Sequence, residues 1–153
     1  MMNRFTQTLC TIGVVILMLA ACGDQATAPE EELRAWVAAG VEAATDKNRR
    51  ELINMISEYY VDARGNERSD IDNLLRVYFL RQQKIALLTS IEEIAVYDDT
   101  AAKIEMTVGM AGLNDSMLGL SADGYRFDLE LEKDAGEWQL ISARWGEFGN
   151  EMR

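Results

Sequence analysis

Histidine is absent from all 153 residues. Its absence removes the commonest general base, the usual zinc and iron ligand, and the Ser-His-Asp and Cys-His arrangements. Cysteine is nearly absent: Cys10 and Cys22 stand close together near the N-terminus. Long apolar runs are missing too. Residues 9–21 are apolar apart from Cys10 and Thr11, but as a helix they would reach only about 20 Å, against about 30 Å of bilayer core. Positive charge is scarce, with 15 Lys and Arg against 26 Asp and Glu and a formal net charge of −11. Such a surface repels phosphate backbones and anionic head groups. Nucleic acid is therefore not an expected partner, and no basic patch is available to hold the chain on a membrane.

What is present begins with an address. Arg4 is the only charge ahead of the apolar run. A basic start, a short apolar stretch and small residues at its end describe a secretory signal. Gly23-Asp24-Gln25 ends the run early, which disfavours an uncleaved membrane helix. Leu19-Ala20-Ala21-Cys22 then resembles the lipobox of bacterial lipoproteins; the alternative is an ordinary signal with a chance cysteine. A thiolate is a fitting nucleophile for taking a diacylglyceryl group. The resemblance implies a signal peptide over residues 1–21, Cys22 as the acylated, palmitate-type N-terminus, and a short tether over residues 22–28. Each buried CH₂ of an acyl chain contributes about 0.8 kcal/mol, so two or three chains anchor the protein durably. Gly23, not Asp, follows the cysteine, which by the same resemblance implies the outer membrane, with the protein facing the periplasm of the cell envelope. The mature chain would then have no thiol, and so no disulfide or thiolate metal site. All acids and 14 of the bases lie beyond the signal, leaving a formal charge of −12.

The rest reads as one domain over residues 29–150. Thr27-Ala28-Pro29-Glu30 forms a capping box ahead of Leu33, Trp36, Val37, Gly40, Val41 and Ala44 at helical spacing. Asp46 is placed to cap a second helix, with Leu52, Ile53, Ile56, Tyr59 and Tyr60 on one face. Residues 61–66 form a turn-rich exit, and Ser69-x-x-Asp72 opens a third helix bearing Ile71, Leu74, Leu75, Tyr78 and Phe79. Near Gln83 the period changes from 3.6 to 2. Residues 85–97 predict a long or bent strand, followed by a turn at Asp98-Asp99-Thr100. Ala102, Ile104, Met106, Val108 and Met110 alternate with polar positions, and so do Tyr125, Phe127, Leu129 and Leu131. Residues 111–124, rich in Gly, Asn and Ser, predict a loop. Asp134-Ala135-Gly136 predicts a hairpin. A bulge near Ile141-Ser142 explains the phase shift from Trp138 and Leu140 to Ala143 and Trp145.

The fold class expected is α+β: three helices packed on one face of a curved antiparallel sheet, preceded by the cleaved signal helix. Three stretches carry a resemblance to the nuclear-transport-factor-2-like cone, which includes ketosteroid isomerases and polyketide cyclases. They are Tyr59-Tyr60-x-Asp62-x-x-Gly65, Asp98-Asp99-Thr100-Ala101 and Gly136-Glu137-Trp138-Gln139-Leu140. The resemblance covers residues 30–148 and implies a pocket between helices and sheet. In its enzymes an inward strand position carries an Asp base; here every inward position is apolar or aromatic. Asp128 and Glu130 have the wrong parity, and a register slip would turn the apolar face to water.

The candidate pocket is therefore Tyr59, Tyr78, Met106, Tyr125, Phe127 and Trp145, with Asp62 as the candidate acid. The commoner role of these tyrosines and of Trp36 and Trp145 is core packing. Met106, Met110 and Met117 lack the density of a copper-binding run. The charges from Asp62 to Asp72 lack EF-hand spacing and read as solvated ion pairs. No metal or cofactor is expected. On the outer face of the sheet, Glu105, Asp128, Glu130 and Glu132 outnumber Lys103 and Arg126, which argues for a monomer. The reading favoured is a lipid-anchored, non-enzymatic module binding a small apolar ligand or an envelope protein. The alternatives are an isomerase- or cyclase-type enzyme using a Tyr and a carboxylate, and an acidic assembly module.

Overall fold

The computed structural model describes residues 28–114 and 120–150. The expected signal peptide over residues 1–21, Cys22 and the expected tether up to Thr27, and Met117, lie outside the described residues.

Helix α1, Ala28–Thr45, carries Glu30 and Glu31 in its first turn, where the N-terminal dipole favours them. It buries Leu33, Val37 and Ala43. Gly40 lets the next helix approach closely: a Cβ there would stand 3.3 Å from Met55 Cε. Lys47 takes a positive φ of 56° and reverses the chain, so Asn48, not Asp46, caps helix α2 by accepting from the Glu51 N–H at 3.3 Å. Helix α2 is only six residues, Arg49–Asn54. The helical face expected to run on to Tyr60 is therefore broken. Beyond Asn54 the backbone pairs with the sheet instead: Leu140 N–H donates to Met55 O at 2.9 Å, Ser57 N–H to Leu140 O at 2.9 Å, and Ala63 N–H to Ala143 O at 3.1 Å. Tyr59 consequently points to solvent, 89% exposed, while Tyr60 is 3% exposed in the core.

Helix α3, Arg68–Arg81, starts a residue before the expected Ser69 cap. The Glu67 N–H donates to Asp70 Oδ2 at 2.9 Å. Arg68 ties this start to the end of α2, donating from Nη2 to Ile53 O at 2.9 Å and from Nε to Ile56 O at 3.0 Å.

Four strands follow: β1 Gln82–Tyr97, β2 Ala101–Asn114, β3 Leu120–Asp134 and β4 Glu137–Glu147. They form one curved antiparallel sheet in chain order, a meander. The stretch expected as a loop over residues 111–124 is mostly ladder, since pairing between β2 and β3 continues from Ala111 with Ala122 to Leu113 with Leu120. Small residues there weaken the alternation that marks a strand without preventing the pairing. The expected bulge is present: Glu130 pairs with Ser142 and Leu131 with Leu140, leaving Ile141 as the extra residue. It keeps Trp138, Leu140, Ala143 and Trp145 on the inner side. The β3–β4 turn is two residues, Ala135 (φ 49°) and Gly136 (φ 88°), the left-handed pair that matches strand twist. Segment 55–63 covers the free edge of β4, which hides unpaired backbone groups.

Ala102, Ile104, Met106 and Val108 of β2 and Leu129 and Leu131 of β3 pack with Leu33, Val37, Tyr60 and Trp138. Leu33, Ile104 and Leu131 are the largest fully enclosed side chains among the described residues. The outer face is less simply acidic than expected. Arg144 of β4 donates to Asp128 at 2.8 Å, and Lys103 pairs with Glu105 at 2.6 Å. Asp128, held between them, is 6% exposed. The hydrogen bond raises the Lys103 pKa and lowers that of Glu105.

Candidate functional site

Helix α3 turns Ile71, Leu75, Tyr78 and Phe79 toward the sheet, yet buries none of its residues. Space separates it from the strands. A cavity of about 520 Å³ lies between them, bounded by α3, the inner faces of the strands and the chain around Tyr60 and Arg64. This falls within the usual range for small-molecule sites. A second cavity of about 280 Å³ lies under α1 and α2. Both are walled by Ile56, Ile71, Leu75, Leu87, Phe127 and Leu140, so they adjoin along one apolar interior.

Of the expected pocket residues, Tyr78, Tyr125, Phe127 and Trp145 meet in the larger cavity. Phe127 stacks on Trp145, with ring centres 6.4 Å apart and planes 21° apart. Tyr125 stands 6.3 Å from Phe127. Met106 is buried one layer away and lines the smaller cavity. Tyr59 lines neither; its place is taken by Tyr60, because the chain has left the helix by then. Burial raises the pKa of all three inward tyrosines, most for Tyr60, where the Asp62 charge adds to it. Asp123 has the same secondary effect on Tyr78 and Tyr125, and the Tyr125 hydroxyl lies 3.5 Å from Glu147 Oε1.

Asp62 is not a cavity group. It is 5% exposed, and its oxygens are engaged by its own loop. Oδ1 accepts from the N–H groups of Arg64 and Asn66, each at 2.8 Å, and Oδ2 from Asn66 Nδ2 at 2.7 Å. The cluster expected to be solvated is thus built around a buried carboxylate that shapes the turn. That turn presents one of the charges that the sequence pattern reads only as a solvated ion-pair partner. Arg64 lines the larger cavity, with its guanidinium carbon 4.5 Å from the centre of the Trp145 ring and Nη2 donating to Trp145 O at 3.1 Å. Only the tertiary path of the loop along β4 brings it there. Trp36 lines the smaller cavity, and among the described residues its buried Nε1 finds no acceptor.

No Asp or Glu lines either cavity among the described residues. No group of acidic, His or Cys side chains able to hold a metal occurs among them, and no described helix is long and apolar enough to cross a membrane.

Helices stacked on a four-stranded meander with an apolar hollow between them decide the architecture. The fold is the nuclear-transport-factor-2-like cone. Solved structures share it at low identity. A ketosteroid isomerase-like protein from Erwinia carotovora atroseptica aligns over 78% of this chain and 96% of its own, with 12% identity and a TM-score of 0.65. A candidate scytalone dehydratase from Novosphingobium aromaticivorans aligns over 80% and 85%, with 12% identity and a TM-score of 0.71. A nuclear-transport-factor-2-like superfamily protein from Salmonella enterica serovar Typhimurium aligns over 80% and 92%, with 14% identity and a TM-score of 0.67. No family model and no curated protein matches the sequence. At such identities the cone is what is shared; the chemistry inside it has to be read from these side chains.

Proposed function

We propose that this chain is a cell-envelope lipoprotein, held by lipid at Cys22 on the outer membrane and facing the periplasm. Its cone binds a small apolar ligand and does not transform it. One observation carries the ligand reading: an interior of several hundred Å³ is lined by apolar and aromatic side chains, with no carboxylate among the described walls. A general base must reach its substrate's proton by a hydrogen bond; Asp62, the acid expected to serve, spends its oxygens on its own turn. The open interior also counts against a pure assembly module, which gains nothing from an unfilled core.

The full protein, purified from its own membrane and weighed by native mass spectrometry, should carry acyl chains at its N-terminus and a further bound mass. Acylated chain alone would leave the ligand reading unsupported. The anchor has a separate check. Cys22→Ser should lose incorporation of labelled palmitate and leave the membrane fraction; a variant that still sediments with membranes at full uncut mass would overturn it.

A second reading has one observation in its favour. The charge of Asp123 raises the pKa of both Tyr78 and Tyr125, although Asp123 itself is exposed and lines neither cavity. An acid beside two tyrosines is the arrangement here closest to isomerase or dehydratase chemistry, the activities named for similar folds. On that reading Asp123→Asn abolishes turnover of an enolisable ketone; on the binding reading it leaves ligand uptake unchanged.

A further inference from the structure

The apolar interior has one charged wall. Among the described residues Arg64 alone brings a formal charge to the larger cavity, and none lines the smaller. Its guanidinium pairs with no carboxylate among the described residues. The nearest acid in sequence, Asp62, is occupied by the Arg64 and Asn66 backbone N–H groups and the Asn66 amide. One donor of Arg64 goes to Trp145 O, and Trp145 lies beneath the group as a π-face. A guanidinium has five N–H donors. Carbonyl and ring orient it; Arg64 is exposed at the boundary of the cavity, and its remaining donors are open to solvent or to a ligand. Among the described residues four other basic side chains pair with acids, Arg49 with Asp72, Lys103 with Glu105, Lys133 with Glu32 and Arg144 with Asp128, while Lys47 and Arg68, like Arg64, donate to backbone carbonyls.

Resting on the apolar-ligand reading above, we infer that the ligand is an anionic amphiphile of the long-chain carboxylic acid class. Its head is held by Arg64, and its chain lies along the interior toward the smaller cavity. The planar fork of arginine suits a carboxylate bidentately, and Trp145 fixes its plane. The acidic surface adds selectivity. It repels small soluble anions, and only a ligand with enough chain to bury offsets that repulsion.

The test is competition on the full mature protein, released from detergent micelles in native mass spectrometry after incubation with equimolar myristate and tetradecanol. The two chains match in length and differ in the charged head. Hydrogen bonds to charged groups carry about 1.5–3 kcal/mol, so the myristate adduct should exceed the alcohol adduct by about 10-fold or more. Arg64→Gln should erase that preference while keeping the tetradecanol adduct, which also shows that the variant is folded. Arg64→Lys, which keeps a charge without the fork, should retain part of it. Equal adducts on the natural protein, or a preference that survives Arg64→Gln, overturn the inference. Neither adduct on the natural protein overturns the apolar-ligand reading beneath it instead.

Discussion

The carboxylate of Asp62 holds three hydrogen bonds inside one turn, and removing it strands buried N–H groups. Asp62→Ala should cost about 1–3 kcal/mol in urea unfolding and move Arg64 with the loop. Tyr59 and Tyr60 make the complementary case. Tyr60→Ala should cost about 3–5 kcal/mol as a large buried aromatic, whereas Tyr59→Ala should stay within about 0.5 kcal/mol. Adjacent tyrosines in sequence cannot be ranked by burial until the end of α2 is known, and that end depends on Ile56 meeting Leu140. The tyrosine hydroxyls also set an alkaline limit. Their folded pKa values are raised, so their contribution to stability is complete below the ordinary tyrosine value near 10 and is lost as the pH climbs through the folded values. Spectrophotometric titration should show Tyr60, Tyr78 and Tyr125 ionising above the ordinary tyrosine value near 10.

Among the elements, α1 is fastened to the β3–β4 hairpin through one carboxylate. Glu32 Oε2 accepts from Lys133 Nζ at 2.6 Å and from Trp138 Nε1 at 3.0 Å. These hydrogen bonds, the lysine's first, lower the Glu32 pKa from 4.5. A depressed folded value means that the clamp's contribution is present above pH 4.5 and lost as pH falls through the folded value. The difference in stability between the natural protein and Glu32→Gln, followed by thermal melts across acid pH, should shrink below that point. In the same hairpin Ala135 occupies a left-handed position that Asn tolerates better. Ala135→Asn should stabilise the domain by about 0.5–1 kcal/mol, read as a raised melting temperature. Strand periodicity and the Ile141 bulge were legible because an inward apolar set has to be maintained on a pleat of period two. The ladder over residues 111–114 and 120–122 was not, because small residues pair without leaving a pattern.

For the molecule as a whole, the decisive feature is that α3 stands off the sheet. A side chain that fills the gap should exclude a ligand more than it harms the fold. Ala143 lines the larger cavity; Ala143→Leu should abolish uptake of an apolar fluorescent dye while changing stability by no more than about 1–3 kcal/mol. In the natural protein a bound ligand at 100-fold its Kd should stabilise by about 2.7 kcal/mol, measurable as a rise in melting temperature. The sequence by itself determined the class of the fold, the inner and outer faces of the strands and the absence of histidine, because alternation, turn residues and composition are local properties of a chain. It also carries the expectation of lipid at Cys22, which lies outside the described residues. Only the tertiary structure decided that Tyr60 replaces Tyr59, that Asp62 builds a turn and that Arg64 reaches the cavity. Those outcomes depend on where segment 55–64 docks along β4, a contact between residues some eighty positions apart that no local pattern records.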